Sequence, residues 1–240
     1  ENGVAVRYRT EVTAITTDGS RTSGVVLRGG GEFPADAVIL ATGGASWPDT
    51  GSTGQGYTMA RALGHTIEPL YPGLVPLTVV ERTLAKQLQG LSLRNVRCAF
   101  QVSSDATSWR PLRIPYPMPK TGKMLFTHFG VSGPLILSAS IAVVAALRDG
   151  KRVMLSIDLK PGMSEEDIHQ RLQREFETHP HRRLRTLLRD WVPYTLTDAL
   201  AGLSGVEEER HIHRIRSEER AVLVGLLKDF RWTISGSLPL

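Results

Sequence analysis

The sequence has a single cysteine, Cys98, in 240 residues. One thiol excludes an internal disulfide, a dithiol redox centre and any multi-cysteine metal site. With Val96, Ala99 and Phe100 beside it, Cys98 reads as a plain buried thiol. Long apolar runs are also missing. The longest candidate, 135–147, is interrupted by Ser138 and Ser140 and falls short of the roughly 18 apolar residues of a membrane span. The expectation is a soluble protein with no membrane partner. Glu1-Asn2-Gly3 carries no Met, basic region or apolar core, so nothing resembles a signal peptide, and the cytoplasm is the expected location. There is no internal repeat and no low-complexity tract. What is present is ordinary for a folded domain: 41% hydrophobic residues, and 29 basic against 24 acidic residues for a net charge of +5. That surplus permits an anionic ligand without requiring one.

Segments 4–9, 11–17 and 24–28 are rich in β-branched residues and separated by Asp18-Gly19-Ser20 and Gly29-Gly30-Gly31, which predicts a small β-meander. Residues 36–41, Asp-Ala-Val-Ile-Leu-Ala, form a short continuous apolar run, the pattern of a parallel strand buried on both faces. A turn-rich stretch follows, and 57–63 reads as a helix stopped by Gly64. Strand patterns at 74–79, 96–102 and 124–127, linked by polar and proline-rich segments, predict a β-rich, barrel-like portion over 73–162. Within it, 133–147 reads as a helix entered through Gly133-Pro134, and 153–159 as another strand. From 163 to 229 the pattern is helical. Ser164 with Asp167 three residues on predicts the cap of a helix over 165–177, and 184–191, 196–203 and 217–230 continue the cluster. Residues 230–240 read as a strand returning to the β-rich portion.

Gly43, Gly44, Gly51, Gly54 and Gly56 lie just past the apolar run, where open α/β sheets place their ligands. Glycine lets backbone approach a flat or phosphorylated ligand closely, and the helix that starts there adds unpaired N–H donors. The spacing G-x-x-G-x-G is neither the dinucleotide fingerprint nor the phosphate-loop pattern. On spacing alone, a binding loop and a purely structural loop stand level.

Residues 36–44 resemble the second flavin-contact motif of flavoproteins with two dinucleotide-binding domains. The longer string from Ala41 to Tyr57, with Leu63-Gly-His-Thr and Pro72-Gly-Leu-Val-Pro-Leu, is similar to the bacterial BaiN-type (YhiN-like) flavoproteins. Leu125-Phe-Thr-His-Phe-Gly-Val-Ser-Gly-Pro134, Ile157-Asp-Leu-Lys-Pro161 and Lys228-Asp-Phe-Arg-Trp-Thr-Ile-Ser-Gly236 match later segments in the same order. The resemblance implies an α/β (α+β) chain: part of a split, Rossmann-like FAD-binding domain over 1–72, interrupted by a barrel-like and helical insertion that covers the flavin. It implies FAD as cofactor, with NAD(P)H as a candidate reductant. It also implies that the amino-terminal and carboxyl-terminal parts of the flavin domain, needed for the full FAD site, lie outside this chain. By the same carry-over Val12 meets the adenine end, Ala41, Thr42, Gly43 and Gly44 pass beside the flavin or its ribityl-phosphate chain, and Ser46, Gly51, Thr53, Gly54 and Gly56 line the same edge. Gln55 and Lys123 depart from the Asp and Glu that relatives commonly carry.

His128 and Ser132 are the candidate catalytic residues, a substrate-side imidazole and a hydroxyl donor; a histidine simply packed at a strand end is the competing reading. A serine-hydrolase turn is excluded because Pro134 stands where the nucleophile elbow needs glycine. The His179/His181 and His211/His213 pairs lack the i, i+4 spacing of helical metal ligands, so no metal is expected. Arg171, Arg174, Arg182, Arg183, Arg185 and Arg189 could form a phosphate-contacting stripe, but interspersed Glu175, Glu177 and Asp190 favour a solvated face. The leading expectation is part of an FAD-dependent oxidoreductase acting on a small-molecule substrate, with nucleic acid disfavoured. The alternative is a non-catalytic module whose basic helices bind an anionic partner such as nucleic acid. Without the phosphate fingerprint, this chain alone is expected to hold FAD weakly or not at all; dialysis against FAD with absorbance detection checks this, and tight stoichiometric flavin would overturn it.

Overall fold

The computed structural model describes residues 3–239; Glu1, Asn2 and Leu240, which bound the expected flanking segments, lie outside them. The architecture is α+β, in two compact units, one ending at Tyr71 and one spanning Pro72–Pro239.

In the first unit β1 (Val12–Asp18), β2 (Arg21–Leu27) and β3 (Glu32–Pro34) form an antiparallel meander. Gly19, at φ +61° in the β1–β2 turn, supplies the left-handed residue that so tight a reversal needs. Helix α1 (Gln55–Ala62) follows the glycine loop. Two expectations fail in this unit. Residues 4–9 form no strand, and residues 37–44 have no regular secondary structure, with Ile39 92% exposed. Every strand pairing among the described residues is antiparallel. The interior parallel sheet expected from the apolar run is therefore absent from them. The run's composition suits burial, but a strand is held by ladder partners on its flanks, and the described residues provide none.

The second unit begins with β4 (Leu77–Val79) and α2 (Arg82–Gln87). It continues through β5 (Ser92–Ser103), β6 (Arg110–Pro111), β7 (Gly122–Thr127), β8 (Gly130–Ser132), α3 (Pro134–Arg148) and β9 (Arg152–Asp158). Helices α4 (Glu165–Thr178), α5 (Leu184–Leu188), α6 (Tyr194–Ser204) and α7 (Ser217–Lys228) come next, and β10 (Phe230–Ser237) completes it. The strand order β5-β7-β8-β4-β10-β9 closes because β9 also pairs with β5, through seven consecutive positions from Arg97↔Asp158 to Ser103↔Arg152. The result is a six-stranded antiparallel barrel, with β6 attached to β5 at Gln101 and Val102.

Alternation along the strands fills this barrel. Val153, Leu155 and Ile157 on β9, Met124 and Phe126 on β7, and Phe230, Trp232 and Ile234 on β10 are all buried. Phe126, Phe230 and Trp232 form an aromatic cluster with ring centroids 5.1 to 6.4 Å apart at tilted and edge-on angles, the geometry aromatic quadrupoles prefer. Helix α3 starts at Gly133, whose φ of +93° and 2.9 Å approach of a would-be Cβ to the Met124 backbone exclude a side chain. It then lays Leu135, Ile136, Ala139, Val143 and Ala146 against the barrel.

The helical part has its own interior of Ile168, Leu172, Leu184, Leu187, Leu188, Trp191, Leu196, Leu200, Leu223 and Leu227. Ser164 caps α4 as expected: its hydroxyl accepts the Asp167 amide at 3.1 Å, and the Asp167 carboxylate accepts the Ser164 amide at 2.9 Å. The segment read as one helix over 184–191 stops at Leu188, after which the amides of Asp190 and Trp191 bond the carbonyls three residues back, at Leu187 and Leu188. Helix α7 ends at Lys228, because Asp229 and Phe230 turn into β10.

Barrel and helices are tied where β9 leaves the barrel. The Lys228 ammonium donates to the Asp158 carboxylate at 2.7 Å, to the Met163 carbonyl at 2.7 Å and to the Lys160 carbonyl at 3.2 Å, with both charged groups largely buried. All three donor positions of the ammonium are used. Replacing Lys228 with Met would leave Asp158 without its cation and cost about 3 kcal/mol, measured by urea denaturation. The Asp158→Leu/Lys228→Met pair should recover most of it, and a single-variant loss under about 1 kcal/mol would show that the tie is incidental.

Candidate functional site

The glycine loop is built by its own backbone. The Gly54 amide donates to the Gly44 carbonyl at 2.9 Å, Trp47 and Ser52 form an isolated antiparallel bridge, and a short 3-10 turn, Pro48–Thr50, lies between them. Two glycines are required by packing inside the loop. A Cβ at Gly43 would lie 2.8 Å from the Ser52 hydroxyl, and one at buried Gly56 would lie 2.3 Å from the Thr42 hydroxyl. Gly51, at φ +94° with no atom near its missing Cβ, has no such packing reason.

Of the residues assigned to cofactor contact, most are open to solvent on this loop, whereas Gly56 is buried in the first turn of α1 and Val12 lies on β1. Ala41, Thr42, Gly43, Ser46, Gly51 and Thr53 are exposed, and Gly44 and Gly54 are half-buried. Helix α1 begins after them with Gly54 in the left-handed conformation and no capping side chain; the Tyr57 amide donates to the Gly54 carbonyl at 3.0 Å, and the positive end of the helix dipole faces this turn. Open backbone, positive-φ glycines, two small hydroxyls and an uncapped helix start suit a flat, anionic cofactor such as FAD. Val12 belongs to the same unit. Its carbonyl accepts the Gln55 side-chain amide at 2.9 Å, which links β1 to the loop and gives the departure at Gln55 a role that an aspartate, with no donor, could not fill.

His128 and Ser132 lie in the barrel unit, on the β7–β8 hairpin. Thr127 pairs with Gly130, so His128 and Phe129 make the two-residue turn. That turn is held from three sides. The Phe129 carbonyl accepts the Arg82 guanidinium at 3.0 Å and the Val79 amide at 3.2 Å, and the Gly130 amide donates to the Thr127 hydroxyl at 3.2 Å. The His128 imidazole is exposed, edge-on to Phe129 at 4.9 Å, on a rigid tip and not packed at a strand end. Ser132 closes the other end of β8, opposite Leu125. Lys123 is exposed on β7.

The helical arginines are engaged. Arg182 bridges Glu175 and Asp190, Arg183 pairs with Glu209, Arg185 lies among Asp198, Glu208 and Glu209, and Arg210 pairs with Glu219. Arg171 sits over the Trp191 ring and Arg189 over Tyr194. This is a mixed, solvated face, not a stripe of one sign. Sequence reasoning missed two groupings: the Lys228–Asp158 tie, and a cluster of His181, His211 and His213. The i, i+4 rule belongs to α-helices, whereas His181 lies on a segment bridged at Arg183 to His211, and His213 lies in the 3-10 turn Ile212–Arg214 that follows.

The chain thus combines an antiparallel barrel bearing a helical appendage with a separate unit that carries a glycine-rich loop. Residues 71–240 match the family model described as "HI0933-like protein barrel and H2TH domain", and the chain belongs to that HI0933-like flavoprotein family. It is 29% identical over 212 residues to the 3-dehydro-bile acid delta(4,6)-reductase of Clostridium scindens, covering 88% of this chain and 49% of the relative. It is 27% identical over 237 residues to the ribosomal RNA dihydrouridine synthase of Escherichia coli, covering 99% and 53%. The Haemophilus influenzae protein of that name is 29% identical over 206 residues, covering 83% and 44%. The chain thus spans about half the length of the curated relatives it matches.

Cys98 is a free, largely sheltered thiol. Its thiol touches the Met124 sulfur at 3.9 Å, and desolvation pushes its pKa up to about 12. At pH 8 alkylation by iodoacetamide should run at least about 100-fold slower in the folded chain than in urea, followed by mass spectrometry; equal rates would show the thiol to be reactive.

Proposed function

We propose that this chain carries a flavin-contact loop and the barrel-and-helix module of an FAD-dependent reductase that transfers a hydride to a small organic substrate. The observation that carries the reading is the exposed glycine-rich backbone of 41–54 beside an uncapped helix start, in a chain of the HI0933-like flavoprotein family. Ala41, Thr42, Gly43 and Gly44 would lie along the cofactor, and Ser46, Gly51, Thr53 and Gly54 would supply its polar edge. FAD, when bound, supplies the hydride chemistry, and NAD(P)H is the proposed source of reducing equivalents.

Both activities named among the relatives reduce a carbon–carbon double bond, so we take a double bond conjugated to a carbonyl as the substrate class. Hydride addition at the far carbon of such a bond leaves negative charge on the carbonyl oxygen, and a positioned donor lowers that barrier. The exposed His128 imidazole on its braced turn is the donor we assign, with the Ser132 hydroxyl as a further polar group. RNA is the less favoured substrate, because Arg182, Arg183, Arg185 and Arg210 already face carboxylates and so offer less to phosphate.

The test uses the product of the complete reading frame, purified anaerobically. It should hold close to one FAD per chain and oxidise NAD(P)H in the presence of a cyclic enone. His128→Ala should lower kcat about 100-fold with flavin content unchanged. Turnover of a uridine oligonucleotide in place of the enone would reassign the substrate. Absence of flavin, with steeply salt-dependent nucleic-acid binding, would replace the enzyme reading with the interaction module.

A further inference from the structure

Three histidines that belong to none of the residues discussed for flavin or substrate converge in the helical part of the barrel unit. Segments 180–185 and 208–213 run antiparallel between α4 and α5 on one side and α6 and α7 on the other. They are joined by Leu184 N–H to Arg210 carbonyl at 2.9 Å, Ile212 N–H to Arg182 carbonyl at 2.8 Å, Arg185 N–H to Glu208 carbonyl at 2.8 Å and His213 N–H to Pro180 carbonyl at 3.2 Å. The isolated bridge between Arg183 and His211 sets the register, which puts His181 opposite His213. His211 enters, and His213 lies within, a short 3-10 turn over Ile212–Arg214, and this turn brings both rings to the side of His181. One ring nitrogen of each of the three lies within 4.8 Å of the others, and the rings meet edge-on with centroids 5.4 to 6.2 Å apart.

One of these rings has its tautomer fixed. The Nδ1 of His213 is 2.6 Å from the Pro180 carbonyl oxygen. A carbonyl can only accept, so Nδ1 carries the proton and Nε2 presents its lone pair. Metal-ligating histidines are oriented by this kind of outer hydrogen bond. We infer that His181, His211 and His213 form a three-imidazole site for a divalent transition cation, with Zn²⁺ as the fitting ion. Three imidazoles at about 2.0 to 2.1 Å from the metal, plus water in the fourth position, is a tetrahedral arrangement zinc adopts. The exposed side of the cluster, where His181 and His213 meet solvent, leaves that fourth position open. Ligand nitrogens on such a tetrahedron are roughly 3.4 Å apart, so from separations of up to 4.8 Å the rings must close by at most about 1.4 Å, within reach of side-chain rotation.

Neighbouring charge does not forbid a cation. Arg182 is taken up by Glu175 and Asp190, Arg183 by Glu209 and Arg210 by Glu219, leaving Arg214 as the adjacent positive group to be outweighed by ligation. The bound ion would pin the α4–α5 turn to the α6–α7 connection. It would thus act as a structural staple for the helices, stabilising the folded form by the free energy of binding.

The experiment uses the full chain, stripped with EDTA and titrated with ZnCl₂ at neutral pH by calorimetry, and with Co²⁺ by visible absorption. One equivalent of Zn²⁺ should bind, Co²⁺ should show the intense ligand-field bands of a tetrahedral site, and Zn²⁺ should raise Tm. His181→Ala and His211→Ala should each weaken binding at least about tenfold, whereas His179→Ala should leave it unchanged. A readout that needs no variant is protection from diethyl pyrocarbonate: Zn²⁺ should shield His181, His211 and His213 but not exposed His128. Binding only at large metal excess, unchanged affinity in the His181→Ala/His213→Ala pair, absence of protection, or saturable binding of inorganic phosphate in place of metal would each overturn the assignment.

Discussion

The pairing of β5 with β9 is the constraint on which the larger unit rests. Without those seven positions, β5 and β9 would present open ladder edges, and the aromatic and aliphatic side chains of β7, β9 and β10 would share an open sheet. Closure removes edges altogether, which a twisted antiparallel sheet of this size otherwise achieves only with protective charges or bulges. Because the barrel is narrow, its lumen is filled by side chains such as Phe126, Phe230 and Trp232, and any chemistry must be done from its rims. The β7–β8 turn bearing His128 is such a rim. It is rigid because Arg82 and Val79, from outside the hairpin, bond the turn carbonyl.

The segments that carry the family resemblance have a common physical meaning here. Ile157-Asp158 and Lys228-Asp229-Phe230 are far apart in sequence yet adjacent in space, because Ile157 pairs with Phe230 and Asp158 with Lys228. Phe126, from the segment that leads into His128, packs on Phe230 and Trp232. Asp229 in turn accepts from Ser156 and Arg231. Much of the pattern thus encodes the joint between barrel and helices, and the remainder encodes the glycine loop.

Local signals were legible wherever they sufficed. The Ser164 and Asp167 reciprocal cap, the Gly133-Pro134 entry to α3 and the β1–β2 turn were all readable from a few neighbouring residues. Features that depend on distant partners were not. Nothing near Ser103 or Arg152 announces that their strands close a barrel, since that pairing is set by packing across some fifty positions. The histidine cluster stayed hidden for a related reason: its geometry comes from the pairing of two segments, one ending in a 3-10 turn, that each look like a helix-linking loop. The apolar stretch ahead of Thr42 erred in the other direction. Its composition is that of an interior strand, but composition states only what environment a segment suits, and strand formation needs neighbours to complete the ladder.

In residues 37–41, Val38 is half-buried while Ile39 stands almost fully in water, with backbone in no helix or sheet. A short extended ribbon of this kind, apolar and carrying no charge of its own, is a ready template for another strand. Exposed apolar backbone of this kind is where a second copy of the polypeptide would have the least desolvation to overcome in pairing.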